Sequence, residues 1–277
     1  MTSTQDEFSL TKLTAGVPYG VGISFAQCLE DVRLWRLFRN RSPGVYVDAG
    51  AFDPVIDSVT KSFSMAGWSG INVEPISELA QALRSDRPND TTFQYAAGPA
   101  DGEIDLHVAI LDESDPRHAD AGARSTVLKT PAEQLRADGF MTEVRRVQVQ
   151  SLDSMLNSLE VRSNGALQHA LDEGGIQFLK VDVEGFEFDV LQGINLAKWR
   201  PEVVISEGST SAVSDYMRRS GYQVVLDDGV NLWFVPAEND EQAALLARQI
   251  NPVLDGLWVS ERLLRLLAVQ RSAHSLP

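Results

Sequence analysis

The chain has 277 residues, 43% hydrophobic and 23% charged, with a formal net charge of -15. That length allows one large or two small domains with ample core, and the acidic balance excludes a nucleic-acid backbone as a partner. One cysteine, Cys28, excludes an internal disulfide and argues against a cysteine-based zinc site.

The first seven residues lack a signal-peptide profile and no apolar run reaches membrane-spanning length, so a cytoplasmic protein without a membrane span is expected. After a polar lead and a Pro/Gly loop at 17–22, apolar positions 25, 29, 32, 35 and 38 fall at helical spacing. They predict a helix with Ser24 as N-cap, lying over the sheet within an N-terminal cap spanning 1–40. On it, Gln27 and Asp31 share a face at i, i+4.

Strand Val45 to Ala49 comes next, followed by a helix from about Ile56 to Ala66. A second strand ends at Glu74, a helix runs from Ile76 to Arg84, and a third strand covers Thr92 to Ala97. This is β-α-β-α-β, expected to form a parallel sheet with right-handed crossovers. Val45-Tyr46-Val47-Asp48-Ala49-Gly50 and Gly70-Ile71-Asn72-Val73-Glu74-Pro75 are the two acid-tipped strands. Gly50 permits close backbone approach, Asp48 suits the polar end of a ligand, and Glu74 suits two vicinal ribose hydroxyls. Either S-adenosylmethionine or a dinucleotide fits that pattern.

Beyond Ala97 the rhythm lapses. A strand from Ile104 to Ile110 leads into a polar stretch read as a lid at about 110–143, and a strand at 144–149 precedes a helix at 152–159. Rhythm resumes with the strand Ile176 to Val183, a helix opened by Glu184 to Glu187, and a strand ending at Glu207. A helix at 211–219 follows, then a hairpin of Tyr222 to Leu226 and Asn231 to Val235 around Asp227-Asp228-Gly229. A terminal hairpin favours the methyltransferase version of the sheet over the dehydrogenase one. Leu257, Trp258, Leu263, Leu264 and Leu267 predict a helical tail over 237–277, either folded onto the core or forming a homodimer surface.

Several segments together carry a resemblance: Ser24 to Asp31, Val47-Asp48-Ala49-Gly50-Ala51, Asp57-Ser58-Val59-Thr60, and Gly67 to Pro75. Leu179-Lys180-Val181-Asp182-Val183-Glu184-Gly185-Phe186-Glu187 and Gly229 to Val235 complete it. In order and spacing the chain resembles the FkbM family of S-adenosylmethionine-dependent methyltransferases from about Ser24 to Pro236. The resemblance implies a class I methyltransferase, Rossmann-like α/β fold with a seven-stranded, mostly parallel sheet and a C-terminal antiparallel hairpin, here over 41–236. It also implies methyl transfer to a hydroxyl of a sugar, glycan or secondary metabolite, leaving S-adenosylhomocysteine. Pro54 stands near where a dinucleotide enzyme places its third glycine, which counts against NAD.

The expected cofactor residues are Asp48, Gly50, Ala51, Ser58, Glu74, Pro75, Ala97, Gln27 and Asp31. Asp182 and Glu184, two apart at a strand end, are expected to face the reacting methyl group, with Asp182 ahead as general base. His107, on the strand into the lid, is an alternative base. Glu207 could join Asp182 and Glu184 around a divalent cation, a lesser expectation than catalysis without metal. An N-methyltransferase of the same fold and a non-catalytic Rossmann-like binding module stay open as alternatives.

Overall fold

The computed structural model describes residues 21–111, 123–208, 210–251, 257–262 and 264. Its strands are β1 Val21–Ser24, β2 Val45–Ala49, β3 Ser69–Val73, β4 Thr91–Phe93, β5 Ala96–Ala97 and β6 Gly102–Ile110. They continue as β7 Met141–Gln150, β8 Phe178–Val181, β9 Val203–Glu207, β10 Tyr222–Asp227, β11 Asn231–Pro236 and β12 Leu257–Ser260. The helices are α1 Glu30–Phe38, α2 Lys61–Met65, α3 Ser77–Asp86, α4 Lys129–Ala137, α5 Leu152–Leu156 and α6 Leu159–Ser163. They continue as α7 Gly165–Gly174, α8 Glu187–Gln192, α9 Leu196–Trp199, α10 Ser211–Arg219 and α11 Asp240–Ala247.

A seven-stranded sheet runs in the order β10-β11-β9-β8-β2-β3-β4. β11 is antiparallel to both neighbours, and the other pairings are parallel. All five residues of β2 are buried because helices cover both faces. Val45, Val47 and Ala49 pack on one face with Leu152, Leu167, Leu171 and Val190. Tyr46 packs on the other with Leu34, Phe38, Phe63 and Phe178. There Trp35 stacks on Phe63 at 4.5 Å between ring centroids, and Trp68 meets Phe63 edge-on at 4.8 Å, which makes Trp68 a packing residue.

Two smaller sheets flank this one, β5-β7-β6 and the parallel pair β1-β12. The expected strand Thr92 to Ala97 is divided between sheets: β4 closes the main one, and β5 pairs with β7 through Ala96↔Val149 and Ala97↔Gln150. In the lid, residues 112–122 and His118 lie outside the described residues, whereas α4 gives the remainder regular structure.

Four other expectations are corrected. Helix α1 starts at Glu30, not after Ser24, which ends β1. The cause is Asp31: its carboxylate accepts from Ser24 Oγ (2.6 Å) and from the Phe25 and Val32 N–H groups, fixing the approach as a turn. The cap over 1–40 therefore holds a strand as well as a helix. Helix α2 is short, beginning at Lys61, because Asp53 accepts from the N–H groups of Val55 and Ile56 and Asp57 takes a left-handed φ of 52°. The tail is not helical throughout, since Leu257 and Trp258 lie in β12, paired in register with Val21 and Gly22. Leu263 and Leu267 lie outside the residues whose side chains are described.

Candidate active site

Strand register assembles the site. Asp48 is the direct partner of Lys180 across β2 and β8, and Val181 is the partner of Ser206 across β8 and β9. One step further along, Asp182 comes beside Glu207. On the other side Ala49 pairs with Val73, so Gly50 comes beside Glu74. All of these sit where the parallel strands end, the usual ligand side of an open α/β sheet. They line one cavity of about 330 Å³.

At the Asp48 end, Oδ2 accepts from Thr60 Oγ1 (2.7 Å), which itself accepts from Arg87. Asp48 is 1% exposed, yet its other oxygen, Oδ1, has no hydrogen-bond partner and is 3.6 Å from Lys180 Nζ. Buried Arg87 also donates to Asn72, Ser58 and the Pro54 carbonyl, tying the 54–60 segment to the sheet. Ser58 thus lines the cavity with its hydroxyl already accepting from Arg87.

Gly50 has φ 80°, and a Cβ there would run into the carbonyl oxygen of Asp182. Only glycine allows β2 and the turn after β8 to close up like this. Glu74 is buried, and its two oxygens accept from the N–H groups of Phe52 (3.0 Å) and Ile76 (2.8 Å). Burial pushes its proton affinity up, to a pKa of about 7, against those two bonds. Each oxygen keeps a second lone pair for a ligand hydroxyl.

Asp182, Glu184 and Glu207 form the other end, each offering a carboxylate oxygen within 4.8 Å of the others. Their convergence does not come from strand alternation. β8 stops at Val181, and a turn with Glu184 at φ 55° and Gly185 at φ 100° brings Glu184 round. Glu187, rather than Asp182 or Glu184, accepts from the N–H groups of Val183 and Gly185 at the start of α8. The pair is therefore not consumed in capping.

Burial disfavours charge on Asp182, but the Lys180 ammonium, 3.0 Å away, and a hydrogen bond with Glu207 outweigh it and hold Asp182 below its ordinary pKa. Burial and the Asp182 charge push Glu207 up to about 9, so Glu207 carries the proton shared by the pair. Glu184 is pushed up to about 7 by burial and the Asp182 charge, moderated by Arg124. Lys180 is held well above its usual value: burial opposes this, but Asp182 and Asp48 prevail. The three carboxylates could hold a divalent cation, in competition with the Lys180 ammonium and the Glu207 proton.

Of the expected cofactor residues, Asp48, Gly50, Ala51, Ser58, Glu74, Pro75, Ala97 and Gln27 line the cavity, as do Asp182, Glu184 and Glu207. Two expectations are corrected. Asp31 does not line it, because its carboxylate is committed to Ser24, Phe25 and Val32. His107 does not line it either: Leu106 does, and alternation along β6 turns His107 to the opposite face. Lys180, Glu30, Asn231, Arg124 and Arg262 also line the cavity and were not foreseen. For Lys180 the signal was present: a lysine in a buried strand two residues before an acid needs a carboxylate partner.

An open α/β sheet with a ligand cavity across its strand ends defines an enzyme of the nucleotide-cofactor type, and the family comparison is more specific. The methyltransferase FkbM domain matches residues 48–224, more than half of the chain, and the chain belongs to that family of methyltransferases. No curated protein matches the chain. Among the described residues no helix is long and apolar enough to cross a membrane.

Proposed function

We propose that this methyltransferase uses S-adenosylmethionine to methylate a hydroxyl of a sugar, glycan or secondary metabolite. The single observation that carries the reading is one cavity with Asp48, Gly50 and Glu74 at one end and Asp182, Glu184 and Glu207 at the other. We read the strand order as the class I methyltransferase sheet, take 41–236 as the catalytic unit, and treat the flanks as its covers.

The residues present fit the cofactor: Asp48 Oδ1 is buried without a hydrogen-bond partner, and the Gly50 backbone tolerates no side chain. When bound, S-adenosylmethionine supplies a methyl group on a positively charged sulfur. Asp48 would hold the amino-acid end, Glu74 the ribose hydroxyls, and Gly50, Ala51, Pro75 and Ala97 would shape the space between. Glu184 would accept the proton of the acceptor hydroxyl, since a base with a pKa of about 7 is matched to neutral pH. Asp182, held anionic by Lys180, would orient the acceptor rather than take its proton, a reversal of the order read from sequence. Holding the acceptor oxygen about 3–3.5 Å from its target, with water excluded, would supply much of the rate.

The test is product analysis after incubation with S-adenosylmethionine and a panel of hydroxylated glycans and metabolites. A gain of one methyl, assigned by fragmentation to oxygen, supports the reading. Methyl on nitrogen contradicts it.

A further inference from the structure

We propose that the methyl acceptor is an anion, a hydroxyl compound whose carboxylate or phosphate group is held by Arg124 and Arg262 at the cavity opening. The proposal rests on reading the cavity as a methyl-transfer site and adds the class of acceptor.

The inside of the cavity is acidic. Glu30, Asp48, Asp57, Glu74, Asp182, Glu184 and Glu207 all line it, in a chain of net charge -15. Such a lining attracts a cationic ligand and repels an anion unless local cations intervene. Of the three cations in the lining, Lys180 is paired with Asp182 and lies near Asp48. Arg124 and Arg262 remain. Both are exposed, and among the described residues neither has a carboxylate within 4.0 Å. Arg41, Arg145, Arg146, Arg200 and Arg218, by contrast, are each in an ion pair.

Their placement is not that of two loose surface chains. The Arg124 guanidinium lies over the Phe140 ring, 5.8 Å from its centroid, which steadies it while leaving its N–H donors unspent. Two residues on, Thr126 exchanges backbone bonds with His107 (2.8 and 3.1 Å), and its Oγ1 donates to the Glu184 carbonyl at 2.9 Å. The Arg124 segment is thereby fastened to the turn that carries the proposed base, on the acceptor side of the cavity. Arg262 follows β12, which pairs with β1 and so brings the opposite end of the chain to the same opening. Guanidinium forks from two directions match a planar carboxylate or a phosphate. An anion seated there would also offset the Arg124 charge that lowers the proton affinity of Glu184, making Glu184 a better base when acceptor is bound.

The test is calorimetric titration of the full-length protein, saturated with S-adenosylhomocysteine, using glucuronate, glucose 6-phosphate and glucose as probes. Glucuronate or glucose 6-phosphate should bind, with glucose weaker by about tenfold or more, the scale of one charge-assisted hydrogen bond. Whichever anion binds identifies carboxylate or phosphate as the group recognised. Arg124→Gln with Arg262→Gln should erase the preference and its salt dependence, leaving S-adenosylhomocysteine affinity unchanged. Equal binding of glucose, no binding of either anion, or a double variant that loses S-adenosylhomocysteine instead would overturn the proposal. Failure of the wild-type protein to bind S-adenosylhomocysteine at all would sink the methyl-transfer reading, and this proposal with it.

Discussion

The Lys180 ammonium lies 3.0 Å from the Asp182 carboxylate and 3.6 Å from that of Asp48, a buried cation between the two ends of the cavity. Its position follows from register, since Lys180 and Asp48 are direct partners on adjacent parallel strands. One side chain thus balances charge for the acid proposed to meet the cofactor and for the acid proposed to meet the acceptor.

Lys180→Met should therefore damage both stability and turnover. Removing one partner of a buried ion pair leaves an uncompensated charge and costs about 3–5 kcal/mol. Urea unfolding measures the loss. A variant as stable as the wild type would mean that the ammonium is not needed to balance these acids.

Glu184→Gln should lower kcat by about a hundredfold or more, the usual weight of a positioned general base, while S-adenosylhomocysteine affinity stays within about twofold. In the wild type, kcat/KM should rise with pH through about 7 as Glu184 loses its proton, and that limb should vanish in the variant. An Asp182→Asn variant with lower activity and an intact limb would agree with an orienting role for Asp182. Persistence of the limb in Glu184→Gln would move the base elsewhere.

Most of the frame was legible in the sequence because strands buried on both faces are written as apolar runs, and those runs end in acids. β2 has the bounds the residues predict, as does α10, whose N-cap Thr210 accepts from Val213. What failed was where side chains override periodicity. Asp31 and Asp53 spend their carboxylates on nearby N–H groups and delay the helices that apolar spacing would start earlier. Asp48, Glu74, Asp182 and Glu184 stood out as acids at strand ends. The part played by Lys180 depends on pairing between strands more than a hundred residues apart, which no local pattern contains.

Stability should fall as pH rises from about 6 to about 10. Glu74 and Glu184 are pushed to about 7 and Glu207 to about 9, above the ordinary glutamate value, so the folded state binds more protons than the unfolded chain across that range. Their contribution is complete below the unfolded value and is lost as pH passes each folded one. Thermal unfolding across the range reads this slope, and Glu207→Gln should flatten its alkaline part. A melting temperature that climbs with pH would contradict the protonation assigned to these groups.

Chelation tests the acidic cluster. Lys180 and the Glu207 proton already offset charge on Asp182, Glu184 and Glu207, so turnover should be unchanged in EDTA. Loss of activity restored by magnesium would assign the three carboxylates to a cation.

The most direct test of the central claim is calorimetric titration of the purified protein with S-adenosylhomocysteine, with NAD as the control and Glu74→Ala as the variant. Micromolar or tighter binding of S-adenosylhomocysteine alone, weakened by about tenfold or more in Glu74→Ala, is the expected result, the loss being that of charge-assisted bonds to ribose. Binding of NAD in its place, or of neither, would contradict the assignment of this cavity to S-adenosylmethionine.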